Sequence, residues 1–186
     1  MTRISEAAAG ASALDRLAAE AAERLPTPVA AVSLVDGRRQ RLAGLHGLTG
    51  ELAGARETPL SHSICQHVVR IGAPLAIEDA RQTPFLADNP AVVELGVAAY
   101  LGTPLRGPDG ALIGALCGID VRPRRWSLAQ RQLLADLALL AEAELGLETA
   151  AARRDEVRRR LDRLYRIPPE RVAVPPAAAQ SVVGPD

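Results

Sequence analysis

The sequence predicts an α+β protein in which a mostly antiparallel sheet is covered by helices. Three observations predict it. Amphipathic stripes at helical spacing open and close the chain. Two pairs of apolar runs are joined by Asp36-Gly37 and by Gly107-Pro108-Asp109-Gly110, both of which have hairpin-turn chemistry. The runs 97–105 and 111–119 are apolar on both alternating faces, as strands covered on two sides should be.

Taken in order, residues 4–25 suit a helix with Leu14, Leu17, Ala18, Ala21 and Leu25 on one stripe, ended by Pro26 and Pro28. Residues 29–35 read as a strand and 38–45 as its hairpin partner, where Gln40, Leu42 and Gly44 alternate with Arg41, Ala43 and Leu45. A glycine-rich loop, 47–54, leads to Thr58-Pro59-Leu60 and a short helix capped by Ser61, running to Arg70 before Gly72. Residues 74–78 form a short strand and 79–89 a loop. Asn89 then caps, and Pro90 opens, a short helix that ends at Gly96. The two apolar strands follow. Beyond the polar loop 120–126, Ser127 and Gln130 form a capping-box pair at the head of a long helix from Leu128 to about Tyr165. Pro168, Pro169, Pro175 and Pro176 among alanines mark 167–186 as a disordered tail. The expected organisation is one domain over 1–150, a helical extension over 151–166 able to form a coiled coil, and that tail.

Hydrophobic residues make up 48% of the chain but aromatics only 2%, so the core is built from Ala, Leu, Val and Ile, and stacking platforms for single-stranded nucleic acid are disfavoured. Basic and acidic residues balance at 22 each, leaving no global field to draw the protein to nucleic acid or an anionic membrane. Cys65 and Cys117 are too few for a disulfide scaffold and too far apart in sequence for a zinc motif. The first 13 residues lack the apolar run of a signal peptide, and no stretch approaches a membrane span. A cytoplasmic protein with reduced thiols is expected.

Five segments then occur in a telling order: Pro59-Leu60-Ser61-His62-Ser63-Ile64-Cys65, Pro74-Leu75-Ala76-Ile77-Glu78-Asp79-Ala80-Arg81, Tyr100-Leu101-Gly102-Thr103-Pro104-Leu105, Asp109-Gly110-Ala111-Leu112-Ile113-Gly114-Ala115-Leu116-Cys117-Gly118-Ile119-Asp120, and Pro123-Arg124-Arg125-Trp126-Ser127. Together they resemble bacterial GAF domains over roughly residues 10–150. The resemblance implies a central antiparallel sheet with the N- and C-terminal helices on one face. Short helices and loops on the other face would roof a small-molecule pocket. The Asn-Lys…Phe-Asp-Glu signature of cyclic-nucleotide-binding members has no counterpart here. No cysteine lies in 84–91, where phytochrome-like members attach a bilin, and Cys65 and Cys117 do not reproduce the cysteine arrangement of free methionine sulfoxide reductases. No Ser-His-Asp order with supporting turns is present, and the 47–54 loop lacks the Lys-Ser/Thr of a phosphate loop. No output module is expected in the residues that remain. The expectation is therefore a protein that catalyses nothing.

Candidate pocket residues are His62, Ser63, Cys65, Asp79, Phe85, Tyr100 and Cys117. Each has a plainer role to weigh. Cys65 and Cys117 fall on apolar faces and suit small buried hydrophobes, although the first turn of a helix also favours a thiolate. His62 sits near the expected pocket mouth, Asp79 can cap a turn, Phe85 can anchor a loop, and a buried Tyr100 hydroxyl needs a partner. On the last helix Leu133, Leu137, Leu140 and Leu147 form a seam, continued in a shifted register by Val157, Leu161 and Leu164, which a parallel homodimer would bury. The sequence thus points to a homodimeric sensor that passes the state of an unidentified small-molecule ligand to a separate signalling output protein. The alternatives are an interaction scaffold that binds no ligand, and a redox or haem sensor using Cys65 or His62. No metal site or cofactor can be named from the sequence.

Overall fold

The computed structural model describes residues 12–164, in two compact units, the first ending at Thr149 and the second beginning at Ala150. The expected disordered tail at 167–186, and residues 4–11 of the expected first helix, lie outside the described residues.

The elements are α1 (Ala13–Arg24), β1 (Val29–Val35), β2 (Arg39–His46), α2 (Gly50–Ala55), β3 (Glu57–Pro59), α3 (Cys65–Ile71), β4 (Leu75–Ile77), α4 (Pro90–Val93), β5 (Ala99–Arg106), β6 (Leu112–Asp120) and α5 (Leu128–Leu164). The strands form one six-stranded sheet in the order β3-β2-β1-β6-β5-β4, with every neighbouring pair antiparallel. Asp36 closes the β1–β2 hairpin by accepting from the N–H groups of Arg38 and Arg39, at 2.7 and 2.8 Å.

Because side chains alternate along a strand, the sheet sorts its residues onto two faces. Ala30 and Val32 of β1, Ala99 and Leu101 of β5 and Leu116 of β6 pack with Leu14, Leu17 and Ala21 of α1 and Leu134, Leu137, Ala138, Ala141 and Leu145 of α5. The alternate residues Ala31, Tyr100, Ala115 and Cys117 meet Ile64, Cys65, Val68, Ala91 and Val92 on the opposite face. This is the α+β arrangement expected. Gly44 brings α1 down onto β2, where a Cβ would stand 2.3 Å from the Leu14 carbonyl oxygen. Trp126 closes the head of α5, its Nε1–H donating to the Ile77 carbonyl at 3.0 Å.

Several local expectations are corrected. Ser12 is extended (φ −63, ψ 164) and forms a capping box with Asp15, so the first helix begins at Ala13. Part of the glycine-rich loop is the helix α2, and Glu57–Pro59 is an edge strand paired to β2. Ser61 lies in a 3-10 turn, and the short helix starts only at Cys65; Ser63 Oγ accepts the Gln66 N–H at 3.0 Å in its place. Part of 79–89 is a second 3-10 turn, Ala80–Gln82. Strict alternation along 111–119 would put Ile113 on the face of Cys117, but it packs toward the helices instead. The register slips beside it, between Leu105↔Gly114 and Arg106↔Leu112, and an extra residue in a ladder reverses every side chain beyond it. Leu137 is buried in the chain's own core and Leu133 packs against it, so these two do not form a seam with Leu140 and Leu147, which remain exposed. The stripe that anchors α5 is Leu134, Leu137, Ala138, Ala141 and Leu145.

Asp15 joins α1 to the sheet, accepting from Leu45 N–H and from Arg56 Nη2, both at 2.9 Å. Burial pushes its carboxyl up from the ordinary 3.8, but the hydrogen bonds from Leu45, Arg56 and Ser12 hold it below that value. A depressed carboxylate stabilises the fold fully above its unfolded pKa, and that share is lost as the pH falls through the folded value. Asp15→Ala should therefore cost about 2 kcal/mol at neutral pH. The gap from wild type, read from urea melts, should narrow in acid below the ordinary carboxylate range.

The second unit is helical from Ala150 to Leu164 with every residue exposed. Arg154 pairs with Asp155 and Arg159 with Glu156, each at 2.9 Å, and Val157, Leu161 and Leu164 present apolar groups to solvent.

Candidate functional site

The face of the sheet opposite α1 and α5 encloses a cavity of about 150 Å³. Its floor is Ala31 and Ser33 of β1, Gln40 and Leu42 of β2, Tyr100 of β5 and Cys117 of β6. Ile64 and Cys65 stand at the head of α3, while Leu48, Leu52 of α2, Ala91 of α4, Leu95 and Val121 complete the surround. Leu95 and Val121 are exposed, which sets the opening on their side. The lining is apolar with a few convergent polar groups, the ordinary make-up of a small-molecule site.

Four of the seven predicted pocket residues line this cavity: His62, Cys65, Tyr100 and Cys117. Ser63 is fully buried just behind it, donating to Gln40 Oε1, while Gln40 Nε2 lies 3.4 Å from Thr58 Oγ1. His62 Nε2 approaches Glu94 Oε2 at 3.4 Å and its Nδ1 approaches Ser61 Oγ at 3.1 Å. Asp79 and Phe85 are elsewhere. The Asp79 carboxylate is used by its own turn, accepting from the Arg81 backbone and guanidinium and from Gln82 Nε2. The hydrogen bonds from the Arg81 side chain hold it below the ordinary carboxylate value. Phe85 is 51% exposed and packs edge-on to His67, because the neighbouring Leu86 takes the buried position of that turn.

Three polar lining residues were missed by sequence reasoning: Ser33, Gln40 and Thr58. Gln40 left a signal, since it is a polar residue two positions from Leu42 at a buried place in β2; the slip between Val32 and Ser33 turns Gly44, expected on the same side, to the α1 face. Ser33 left a fainter one, a hydroxyl inside a run of Val, Ala and Leu. Its Oγ is fully buried with no hydrogen-bond partner, which is costly unless something occupies the cavity to meet it.

The two thiols meet here. Cys65 and Cys117 Sγ lie 3.8 Å apart, and Tyr100 donates its hydroxyl to Cys65 Sγ at 3.2 Å. Hydrogen bonding from Cys117 lowers the Cys65 thiol below the ordinary 9.0 against the opposing effect of burial, and Tyr100 reinforces the lowering. The same contact, with burial, raises Cys117. Tyr100 is raised as well, chiefly by burial, so it remains a neutral donor. Gly102 makes this contact possible: a Cβ there would stand 2.3 Å from the Tyr100 hydroxyl, so the phenol lies across the glycine.

A sheet backed by helices on one face and roofed over a cavity on the other is the architecture the resemblance to GAF domains implied. The GAF domain family model matches residues 11–145, and the chain belongs to that family, a family of signalling and sensory domains. It is 33% identical over 127 residues to a cyclic di-GMP phosphodiesterase of Pseudomonas aeruginosa; the match takes in 68% of this chain and 20% of that protein, so the chain spans about a fifth of the length of this curated relative. Among solved structures, the GAF domain of a Coxiella burnetii phosphoenolpyruvate-protein phosphotransferase superposes with a TM-score of 0.61 at 22% identity, covering 78% of this chain and 84% of that one. The free methionine-R-sulfoxide reductase of Neisseria meningitidis superposes with a TM-score of 0.56 at 19% identity, covering 71% and 75%. These matches overturn the expectation of a protein that catalyses nothing: the curated relative is named as a phosphodiesterase, and the fold itself serves as an enzyme in the reductase. Among the described residues no group of three His, Cys, Asp or Glu is placed to hold a metal ion, and no helix is long and apolar enough to cross a membrane.

Proposed function

We propose that this GAF domain is a small-molecule sensor whose cavity takes an apolar ligand of about benzene size carrying one polar group. The observation that carries the reading is the buried, unpartnered Ser33 Oγ on the floor of an otherwise apolar hollow. Size decides the class of ligand. An apolar cavity of about 150 Å³ admits benzene, whereas a cyclic dinucleotide, with its two purines, is several times larger. The match to one fifth of a longer phosphodiesterase supports a regulatory module that accompanies an output activity. Signalling requires that the ligand favour one arrangement of the helices over another.

The test is a thermal-shift series with toluene and phenol. A ligand at a hundredfold excess over its Kd contributes about 2.7 kcal/mol, a rise of roughly 5–10 °C in Tm for a chain of this size. Ala31→Leu fills the floor of the cavity and should abolish the shift while leaving the protein folded. Equal, unshifted melting of both proteins with both compounds overturns the reading.

The same reading makes the molecule a homodimer through α5, whose Leu139, Leu140 and Leu147 are exposed in the first unit, as are Val157, Leu161 and Leu164 in the second. Native mass spectrometry of wild type and of Leu140→Glu/Leu147→Glu should give dimer and monomer respectively; a monomeric wild type defeats this part.

A further inference from the structure

We propose that Cys65 and Cys117 form a peroxide-reactive dithiol inside the cavity, in which Cys65 is oxidised by a small hydroperoxide and Cys117 resolves it to an intramolecular disulfide. Three observations meet at one place. The two sulfurs are in contact at 3.8 Å although 52 residues separate them in sequence. Both line the cavity, so a small molecule within it touches them. Tyr100 adds an O–H donor at 3.2 Å to one sulfur only, which makes the pair unequal. Packing alone explains buried cysteines singly; it does not explain a thiol pair, polarised from one side and facing an enclosed space.

The chemistry closes without any other reactant. Cys65, as the thiolate, attacks the distal oxygen of R–O–O–H; the S–O bond forms as the O–O bond breaks, giving the sulfenic acid, and the proton shed by Cys65 neutralises the departing alkoxide to R–OH. Cys117 sulfur then attacks Cys65 sulfur; the S–S bond forms, the S–O bond breaks, and hydroxide leaves as water with the Cys117 proton. Two thiols lose two electrons and the hydroperoxide gains them. The sulfurs must approach by about 1.8 Å to reach the ~2.05 Å of a disulfide, drawing the head of α3 toward β6 across the cavity. The lowered Cys65 and raised Cys117 thiols assign the attacking and resolving roles in the same order. The site is independent of the ligand proposed above: it needs the cavity, not that occupant.

The experiment is intact mass spectrometry of the full chain after exposure to hydrogen peroxide or tert-butyl hydroperoxide, followed by alkylation in denaturant. Wild type should lose two hydrogens and both alkylatable thiols, remain monomeric on non-reducing gels, and recover both thiols with dithiothreitol. Cys117→Ser should stop at a sulfenic acid trapped by dimedone on Cys65, and Cys65→Ser should give neither product. Wild-type thiols that stay alkylatable under peroxide that fully oxidises glutathione overturn the proposal, as does a disulfide found only between chains or dimedone capture on Cys117. The wild-type measurement stands even where a variant fails to fold.

Discussion

Gly114→Ala is expected to strip the fold of a large share of its stability. Gly114 lies in β6 between β1 and β5, opposite Leu34 on one side and Leu105 on the other. An added Cβ would stand 1.9 Å from the Ser33 carbonyl oxygen and 2.9 Å from its carbon. Those atoms are backbone in the middle of the sheet, so no side chain can swing aside. Relief requires parting β6 from β1, which costs about 4 kcal/mol or more, against a total of about 5–15 for a natural domain. The crowding arises where the ladder is already irregular, beside the slips at Val32/Ser33 and Leu105/Arg106. Gly54→Ala is the control: it adds the same methyl to α2, where a Cβ meets nothing within 4 Å. It should be neutral or stabilising by up to about 1 kcal/mol through helix propensity. Urea melts of the two variants test the contrast, and comparable stability of Gly114→Ala and wild type would refute it.

The second large effect is expected at the cavity floor. Gly102→Ala places a methyl 2.3 Å from the Tyr100 hydroxyl and 2.7 Å from two ring atoms. Tyr100 is wholly buried, so its phenol can only move into the cavity or force the sheet to adjust, at a cost of about 3 kcal/mol. The displacement also withdraws the donor from Cys65 Sγ. Tyr100→Phe separates the two consequences, keeping the ring and deleting only the O–H. Since that donor favours the Cys65 thiolate, its loss should move thiolate formation, followed by ultraviolet absorbance against pH, upward toward the ordinary thiol range in both variants. Only Gly102→Ala should also lower the urea midpoint by the packing cost. An unchanged titration in Tyr100→Phe would remove Tyr100 from the account of the thiol pair.

Much of the local structure was legible because its causes are local. Leu14, Leu17, Ala18, Ala21 and Leu25 share a stripe at helical spacing, and all are buried. Asn89 caps α4, and Ser127 and Gln130 exchange hydrogen bonds at the head of α5, as their side chains permit within three residues. The elements that escaped were short or decided from afar. β3 is a strand because β2 offers it an edge, and α2 forms from a stretch whose glycines signal a loop. On α5, the choice of which leucines face the sheet fell to Leu134, Ala138, Ala141 and Leu145 with Leu137, a phase that heptad spacing alone does not select.

For the site, the sequence by itself determined that Cys65 lies on the apolar stripe of a short helix and that Cys117 lies in a core strand, while the resemblance to GAF domains implied that His62 and Tyr100 border a pocket. The first two statements depend on spacing between neighbours along the chain. Only the tertiary structure decided that the two thiols touch, that the Tyr100 phenol crosses Gly102 to reach one of them, that Ser33 is left without a partner, and that Asp79 and Phe85 turn away. The physical reason is that such contacts join residues tens of positions apart. Their distances follow from sheet register and bulges, where a slip of one residue sends a side chain to the opposite face.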